Sequence, residues 1–524
     1  MTWWSGNGLI PGIFAAFPGG MPPVRQHTAP AAGADATQPA RRAGDLWPAE
    51  RHAFWLLVFV TALTVFRLAA LALSRTDLFF DEAQYWFWSR ELSFGYYSKP
   101  PLIAWIIRGA TAVCGMSEAC IRAPSPLIHA ATAMVIYAIG RALYDARIGF
   151  WSGLVYATLP GVSFSSGIIS TDVPLLLCVA VALLALIKMR MSPSWGWAVV
   201  LGLAIGFGLN AKYAMSYFLL CLGIYALAAP AGRALLRDPR LYAAFAIAAA
   251  LVAPNIGWNA QHKFATFAHT ADNANWGGSL FHPADALEFF FGQFGVFGPI
   301  LFTCLIIFVL NWRRPEPATG DVGAERLLLG FCVPVLGLML VQALLSRAHA
   351  NWAAFAYIAA TVLITAALLR TQWTGLFRVS LWLHLAIALL MGLGGMLAGR
   401  LGLPAGADPY ARVLGWRAMA EAAGDKAEAE GYRAIVTDKR AFAAELHYYL
   451  RDRHIPVVAL RGEGPPRDHF ELTRPLDDKT PRPVLMVSQS RGRTGDVEPV
   501  GAADIMAGSE RRTITFYRLK DAKP

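Results

Sequence analysis

The sequence predicts a polytopic α-helical membrane protein with a small α/β domain at its C-terminal end. Of the 524 residues, 56% are hydrophobic and 15% are charged. The apolar residues form repeated runs of roughly 15 to 25 residues, which is the length of a membrane span. The formal net charge of +11 collects in short segments between these runs, as the positive-inside rule requires, and this distribution argues against nucleic-acid binding.

Residues 1–50 are predicted to be a disordered cytoplasmic tail. They are rich in Pro, Gly and Ala and contain several arginines. The basic start and the apolar core of roughly 7 to 15 residues that define a signal peptide are missing.

Residues 51–400 form the predicted membrane domain. Its candidate spans lie at 54–73, 123–142, 148–166, 173–190, 195–210, 213–229, 241–258, 286–311, 327–345, 353–369 and 379–399. With the N-terminus in the cytoplasm, every predicted inner loop is basic, so the orientation is self-consistent. A total of about eleven spans is odd, which places both the first long loop, 74–122, and the C-terminal end outside.

Residues 401–524 are predicted to form a small extracytoplasmic α/β domain. The chain becomes charged there, and the short apolar runs AIVT, PVVAL, PVLMVS and TITFYRL are typical of strands. They surround AFAAELHYYLRD, whose apolar spacing is typical of a helix.

Cys114 and Cys120 lie in the first outer loop, whereas the other four cysteines lie inside apolar runs. In an oxidising compartment the two could form a disulfide, or they could remain free thiols. The sequence leaves both alternatives open.

An acidic pair, Asp81-Glu82, follows shortly after the first apolar run and is the most informative feature of the chain. The pair heads DEAQYWFWSREL, an aromatic-rich segment predicted to be helical. Asp81 is either the N-terminal cap of this helix or an ionised base that orients a hydroxyl group. Glu82 is a candidate to hold a second cation or to shape a binding site.

A second candidate carboxylate, Asp172, stands where the fourth predicted span begins, on the same outer face. A helix start at Thr171 or Asp172, followed by Pro174, explains it by capping alone. Alternatively, Asp172 converges with Asp81 on one cavity, where two carboxylates divide base and orienting roles.

Lys99 precedes a double proline in the first outer loop, which holds several Lys and Arg residues against the positive-inside trend. Prolines restrict the backbone, so the ammonium group is presented from a fixed turn and suits a phosphate. The alternative is a lysine that reaches lipid headgroups. Lys212 is a second phosphate candidate, and Tyr96 or Tyr97 could stack on a sugar or bind a phosphate oxygen.

Arg347, His349 and Asn351 lie in SRAHANWAA, between the ninth and tenth predicted spans and again outside. They are candidates for a substrate pocket, although polar residues beside a Trp also anchor proteins at the membrane interface. Two histidines and an aspartate in QHKFATFAHTADNANW have no standard ligand spacing, so no metal site is predicted.

Several motifs resemble one known family. They are Asp81-Glu82 with Tyr85-Trp86, GYYSKPP at 95–101, the stretch from Ser117-Glu118 to Arg122-Ala123-Pro124, and TDVP at 171–174. Over roughly residues 54–400 the chain resembles glycosyltransferase family 39, which contains bacterial lipid A aminoarabinose transferases, rhizobial lipopolysaccharide galacturonosyltransferases and, more distantly, protein O-mannosyltransferases. The resemblance implies the GT-C architecture, with outer-face amphipathic helices and a variable extracytoplasmic domain.

The resemblance also implies an inverting transfer of one sugar from a polyprenyl monophosphate donor. The acceptor would be lipid A, lipopolysaccharide, another glycolipid or a protein at the outer face of the bacterial inner membrane. By position, Asp81 would be the general base or acceptor-orienting carboxylate, Lys99 would bind the donor phosphate, and Asp172 would be the second acidic residue. The lipid-linked sugar is itself a substrate, so no cofactor is implied. The sequence names neither the sugar nor the acceptor.

A transporter or flippase of lipid-linked sugars is the main alternative function, because polar residues among many spans also mark translocation routes. A transporter should carry charges and broken helices near the bilayer midplane. Here the candidate residues cluster at the outer boundary, which favours the transferase.

Overall fold

The computed structural model describes residues 51–276, 280–312, 322–371, 373–404, 406–462, 464–489 and 497–520. The predicted cytoplasmic tail, residues 1–50, lies outside these ranges. The described chain is mostly helical and ends in a small sheet domain, so the predicted fold class is confirmed.

Helices account for most of the described chain. The first eleven are α1 His52–Ala72, α2 Phe80–Arg90, α3 Leu102–Cys114, α4 Glu118–Arg122, α5 Pro124–Leu143, α6 Ala146–Thr158, α7 Pro160–Ser165, α8 Asp172–Met191, α9 Trp195–Ala211, α10 Tyr217–Ala228 and α11 Pro230–Leu236. The others are α12 Pro239–Gln261, α13 Ala265–Ala274, α14 Pro283–Phe297, α15 Pro299–Asn311, α16 Val322–Gly330, α17 Val333–Leu345, α18 Ala356–Arg370, α19 Thr374–Leu397, α20 Trp416–Ala429, α21 Arg440–Tyr449 and α22 His469–Thr473.

Among the described residues, six helical segments are long and apolar enough to cross a membrane. They are His52–Ala72, Glu118–Leu143, Asp172–Met191, Pro239–Gln261, Gly323–Leu345 and Thr374–Leu397. The bent pair α14 and α15 could form a seventh span, and four further apolar helices are shorter. Each of the predicted span ranges is largely helical, but the total of about eleven membrane crossings stays a prediction.

The predicted span at 286–311 is bent in its middle. The chain forms two helices there, α14 and α15, which are bent by 116° relative to each other. The bend lies at Gly298, whose φ is 91°, and Pro299 begins α15 with a residue that needs no backbone N–H partner. The predicted span at 148–166 is likewise broken, because α6 ends at Thr158 and α7 begins at Pro160.

Small residues let the membrane helices pack closely. A Cβ atom on Gly140 of α5 would lie 2.8 Å from the Cα of Gly149 on α6, and one on Gly202 of α9 would lie 2.6 Å from the carbonyl oxygen of Ala244 on α12. Close backbone approach of this kind maximises dispersion contacts, which drive helix association where lipid removes the hydrophobic advantage. These contacts fix the helices that carry the site.

The sheet domain contains the strands β1 Ala434–Thr437, β2 Val457–Ala459, β3 Val484–Ser488, β4 Val497–Ala507 and β5 Glu510–Leu519. Their order is β2-β1-β3-β5-β4. The first three pair in parallel, whereas β5 pairs antiparallel with both β3 and β4. Four of the strands lie on the predicted apolar runs and α21 lies on the predicted helix, while β4 was not predicted.

Helix α2 is enclosed between the membrane helices and the sheet domain. The ring centroid of Trp86 in α2 lies 5.0 Å from that of Tyr448 in α21, and the ring centroid of Phe87 lies 4.5 Å from that of His447. Residues of α2, α3 and the sheet domain form one buried apolar cluster. Close by, a disulfide joins Cys114 to Cys120 and ties the end of α3 to α4. The first outer loop therefore has a fixed position over the membrane helices.

Candidate active site

A cavity of about 1390 Å³ opens where the first outer loop, the membrane helices and the sheet domain meet. Eight of the ten predicted site residues line its wall, although they come from four separate stretches of the chain. These residues are Asp81, Glu82, Tyr97, Lys99, Asp172, Lys212, His349 and Asn351.

Asp81 lies in the first turn of α2 and is not its cap. The cap position is Phe79, whose backbone N–H donates to Glu82 Oε2 at 2.9 Å. The Asp81 carboxylate instead accepts a hydrogen bond from Arg440 Nη1 at 2.8 Å, and about a third of the Asp81 side chain is exposed. The guanidinium thus fixes the Asp81 carboxylate at the cavity wall, where it can accept a hydrogen bond from a hydroxyl group.

Glu82 is only 1% exposed and forms an ion pair with Arg122. Arg122 Nη2 lies 2.6 Å from Glu82 Oε2, and the other carboxylate oxygen accepts from the backbone N–H of Ile169 at 2.9 Å. Arg122 also donates to the carbonyl oxygen of Asp77 at 2.6 Å. This buried network ties α2, α4 and the segment before α8 together, so its geometry favours a positioning role for Glu82 over a catalytic one.

The second candidate carboxylate, Asp172, is the first residue of α8 and is held on both oxygens. Lys212 Nζ lies 2.7 Å from Oδ1, and Asn351 Nδ2 lies 2.8 Å from Oδ2. Three segments that are distant in the sequence thus converge on one carboxylate. Because Lys212 is already paired with Asp172, Lys212 is less suited to bind a substrate phosphate than an unpaired cation would be.

Lys99 is the unpaired cation of this cluster: with the residues that the structure describes, its ammonium group forms neither a hydrogen bond nor an ion pair. The turn is closed by a hydrogen bond from the Tyr96 N–H to the Lys99 carbonyl oxygen, at 3.2 Å. Burial, followed by the positive charge of Lys212, lowers the pKa of Lys99 to about 8, while Asp81 and Asp172 act in the opposite direction. An incoming phosphate would supply the missing counter-charge.

The two adjacent tyrosines have different positions. Tyr97 lines the cavity, and its hydroxyl donates to the carbonyl oxygen of Pro466 at 2.9 Å. Tyr96 is 2% exposed and is absent from the cavity wall. It stacks on Trp88 at 4.6 Å and donates its hydroxyl hydrogen to the Trp88 carbonyl oxygen at 3.0 Å. The expectation that Tyr96 contacts a donor is therefore corrected, because its ring and hydroxyl serve the core.

The predicted cluster between the ninth and tenth spans is divided in the same way. Asn351 binds Asp172, and His349 lies on the cavity wall in a T-shaped contact with Trp352, 5.4 Å between centroids. Arg347 does not line the cavity; its carbonyl oxygen accepts from Gln342 Nε2 at 3.2 Å. The prediction that the Arg347 side chain reaches the pocket is corrected.

Sequence reasoning missed the contribution of the sheet domain. Arg440, at the start of α21, reaches across to Asp81 and also donates from Nη1 to Gln84 Oε1 at 2.9 Å. No local pattern in TDKRAFAAEL distinguishes this arginine from a surface residue. Arg67 of α1 also lines the cavity, and its Nη2 donates to the carbonyl oxygen of Ala157 at 2.7 Å. The only indication of a special role for Arg67 in the sequence is that it is a charged residue inside an apolar run.

Among the described residues, no group of three or more His, Cys, Asp or Glu side chains could hold a metal ion. A metal-independent reaction stays a prediction.

Known proteins resemble this chain in both sequence and shape. The profile of the family described as dolichyl-phosphate-mannose-protein mannosyltransferase matches residues 98–258. The lipid A galacturonosyltransferase RgtD of Rhizobium johnstonii is 39% identical over 416 residues, which cover 79% of this chain and 86% of that protein.

The fold is similar to that of ArnT from Cupriavidus metallidurans in two crystal structures. For apo ArnT the TM-score is 0.57 at 15% identity. For ArnT bound to undecaprenyl phosphate the TM-score is 0.59 at 14% identity. Each match covers 90% of this chain and 99% of that chain, which supports a common fold over nearly the whole molecule.

Proposed function

Because the chain belongs to glycosyltransferase family 39 and is a membrane-embedded glycosyltransferase, we propose that it moves one sugar from a polyprenyl phosphate to lipid A or a related lipopolysaccharide acceptor. The reaction takes place at the outer face of the bacterial inner membrane, with the N-terminus in the cytoplasm and the sheet domain in the periplasm. Since the relative is a lipid A galacturonosyltransferase, galacturonic acid is the first candidate sugar.

The observation that carries the proposal is the convergence of Asp81, Lys99 and Asp172 on one cavity. Two carboxylates and an unpaired lysine are the groups that a lipid-phosphate donor and a hydroxyl acceptor require. The cavity wall also includes apolar side chains of α19, such as Leu390 and Met391, which suit a lipid chain. The ArnT structure with undecaprenyl phosphate supports a polyprenyl donor by analogy of fold.

In the proposed reaction, the acceptor hydroxyl oxygen attacks the anomeric carbon while the bond from that carbon to the phosphate oxygen breaks. Asp81 accepts the hydroxyl proton, and the electron pair of the broken bond leaves with the polyprenyl phosphate. Lys99 stabilises the negative charge that develops on this leaving group. Asp172, held by Lys212 and Asn351, orients the substrate from the opposite wall.

The energy comes from the donor, since a phosphate leaving group paired with a cation needs no nucleotide. Arg122 and Glu82 hold the first turn of α2 in place and thereby fix Asp81. Membership of a transferase family favours this reaction over the transporter alternative.

The test is a reconstituted reaction with purified full-length protein, a polyprenyl-phosphate galacturonosyl donor and lipid A. Mass spectrometry of the lipid product should detect the addition of one sugar. In cells, lipid A from a strain lacking the gene should lose the same substituent. If the protein forms no product and lipid A is identical with and without the gene, this acceptor assignment is wrong.

A further inference from the structure

Arg440 presents an unused hydrogen-bonding edge at the cavity. Its Nη1 donates to both Asp81 Oδ1 and Gln84 Oε1, and its guanidinium carbon lies 4.9 Å from the centroid of the Phe80 ring. The Nε and Nη2 atoms make no hydrogen bond with the residues that the structure describes. About a third of the side chain is exposed. This stacking and hydrogen bonding fix the guanidinium while two parallel N–H donors stay free, the arrangement that binds a carboxylate through both oxygens.

The excess of positive charge on the cavity wall favours a substrate with more than one anionic group. Among described residues, seven Lys and Arg side chains line the cavity, against four Asp and Glu side chains, and one of the seven, Arg467, is paired with Glu471 outside the lining. A neutral sugar on a polyprenyl phosphate brings a single phosphodiester charge, which Lys99 can neutralise. The remaining positive charge favours a substrate with a further negative group.

The position of Arg440 indicates which group it would bind. In an inverting displacement the base and the leaving group lie on opposite sides of the anomeric carbon. Arg440 is bonded to Asp81, the proposed base, so its ligand is not the leaving phosphate. A group on the sugar ring, which would lie between the base and the leaving phosphate, is therefore the candidate ligand for the free edge.

We propose that the Nε and Nη2 edge of Arg440 binds the carboxylate of a uronic acid carried by the donor, and that Arg440 thereby determines donor specificity. This inference rests on the proposed function and assigns a substrate-binding role to a residue of the sheet domain. Nη1 keeps Asp81 in place at the same time, so one guanidinium aligns the base with the sugar.

The test compares two donors that share the same polyprenyl phosphate, one with a galacturonosyl group and one with a galactosyl group, which has a hydroxymethyl in place of the carboxylate. The wild-type protein should have a higher kcat/KM for the galacturonosyl donor. Arg440→Gln should lower that kcat/KM about 10- to 100-fold more than it lowers the value for the galactosyl donor. Arg440→Lys, which keeps the charge without the two parallel donors, should give an intermediate preference.

Arg412→Gln is the matched control, because Arg412 lines the same cavity and stacks on Phe79, with its guanidinium carbon 5.1 Å from the ring centroid. It should leave the ratio between the two donors unchanged. An equal loss with both donors in Arg440→Gln would overturn the proposal, since that result means that Arg440 acts only through Asp81 or on the acceptor.

Binding of the two donors, measured as the rise in melting temperature, tests the proposal without turnover. The galacturonosyl donor should stabilise the wild-type protein more than the galactosyl donor, and Arg440→Gln should remove this difference. Preferential binding without any transfer to lipid A would refute the proposed acceptor and support the role of Arg440. Equal stabilisation by both donors would refute the role of Arg440.

Discussion

Asp81 and Lys99 divide the proposed chemistry because their surroundings differ. Asp81 lies at a helix N-terminus beside a guanidinium and is partly exposed, so its carboxylate is accessible to a hydroxyl group. Lys99 is close to two carboxylates but bonded to neither, and burial lowers its pKa to about 8. One group is therefore suited to accept a proton, and the other to neutralise a phosphate.

Asp81→Asn should abolish sugar transfer while the protein still inserts and folds. The amide keeps the volume of the carboxylate but can no longer accept a proton, so turnover should fall at least about 10²-fold. Product formation at saturating donor and acceptor measures the effect. Asp425→Asn is a suitable control, because Asp425 pairs with Arg453 at 2.6 Å on the exposed face of the sheet domain. Near wild-type turnover by Asp81→Asn would remove Asp81 from the mechanism.

Donor use should decline as pH rises through about 8, because Lys99 loses its proton there. Below this pH the ammonium is charged and binds phosphate; above it, the neutral amine does not. The measurement is kcat/KM for the donor between roughly pH 6.5 and 9.5. Lys99→Arg should move the alkaline decline to higher pH, since arginine stays charged, and Lys99→Ala should raise the donor constant about 10- to 100-fold. An identical alkaline limb in Lys99→Arg would assign the titration to another group.

The sequence predicted those site residues whose position depends on a local turn or motif. It did not predict the residues whose position depends on contacts between distant parts of the chain. Lys99 before its double proline was found because the turn is local. Tyr96 and Tyr97 are equivalent in the sequence, and only packing on Trp88 decides that Tyr96 faces the core. Arg440 lies 359 residues from Asp81 along the chain, so no pattern around either residue indicates their contact.

At the scale of elements, α2 and the bent pair of α14 and α15 depart most from a simple bundle. Hydropathy predicted one span through 286–311 and did not indicate the bend, because a single Gly-Pro step hardly changes the average of a long apolar run. The sequence nevertheless contained an indication of the bend, since Gly298 permits a φ of 91° and Pro299 favours the start of a new helix. A Cβ on Gly298 would collide with the His384 ring, so α19 packs tightly against the bend.

Gly298→Ala should destabilise the protein by about 1 to 3 kcal/mol, through backbone strain and the collision with His384. A lower melting temperature of the purified protein would register this effect. Gly295→Ala, three residues earlier in α14, is the matched control, because a Cβ there has no atom within 4 Å. That variant should be neutral or slightly more stable. Equal melting temperatures for both variants would mean that the bend tolerates a side chain.

At the scale of the whole molecule, the site is shared by the membrane helices and the sheet domain. The contact between Asp81 and Arg440 requires that the first outer loop and the C-terminal domain lie on one side of the bilayer. The alternation of basic loops predicted the same arrangement. The exact number of membrane crossings could not be predicted from the sequence, because several apolar helices are short and one predicted span is bent.

A topology reporter fused after residue 400 should be active only outside the cytoplasm, and so should one inserted in the first outer loop. A fusion in the basic segment after α8, which contains Lys188 and Arg190 in its last turn, should report the cytoplasm. Opposite sides for the loop and the C-terminal fusion would contradict the Asp81 to Arg440 contact.

The distance of 359 residues between Asp81 and Arg440 also orders events during biosynthesis. A ribosome adding roughly 5 to 20 residues per second needs about 20 to 70 seconds to travel between them. Throughout that interval the Asp81 carboxylate, the proposed base, has no guanidinium partner. If the proposed site and orientation hold, the enzyme becomes competent only after its last segment is exported, and a chain interrupted late in translation should leave an inactive protein in the membrane.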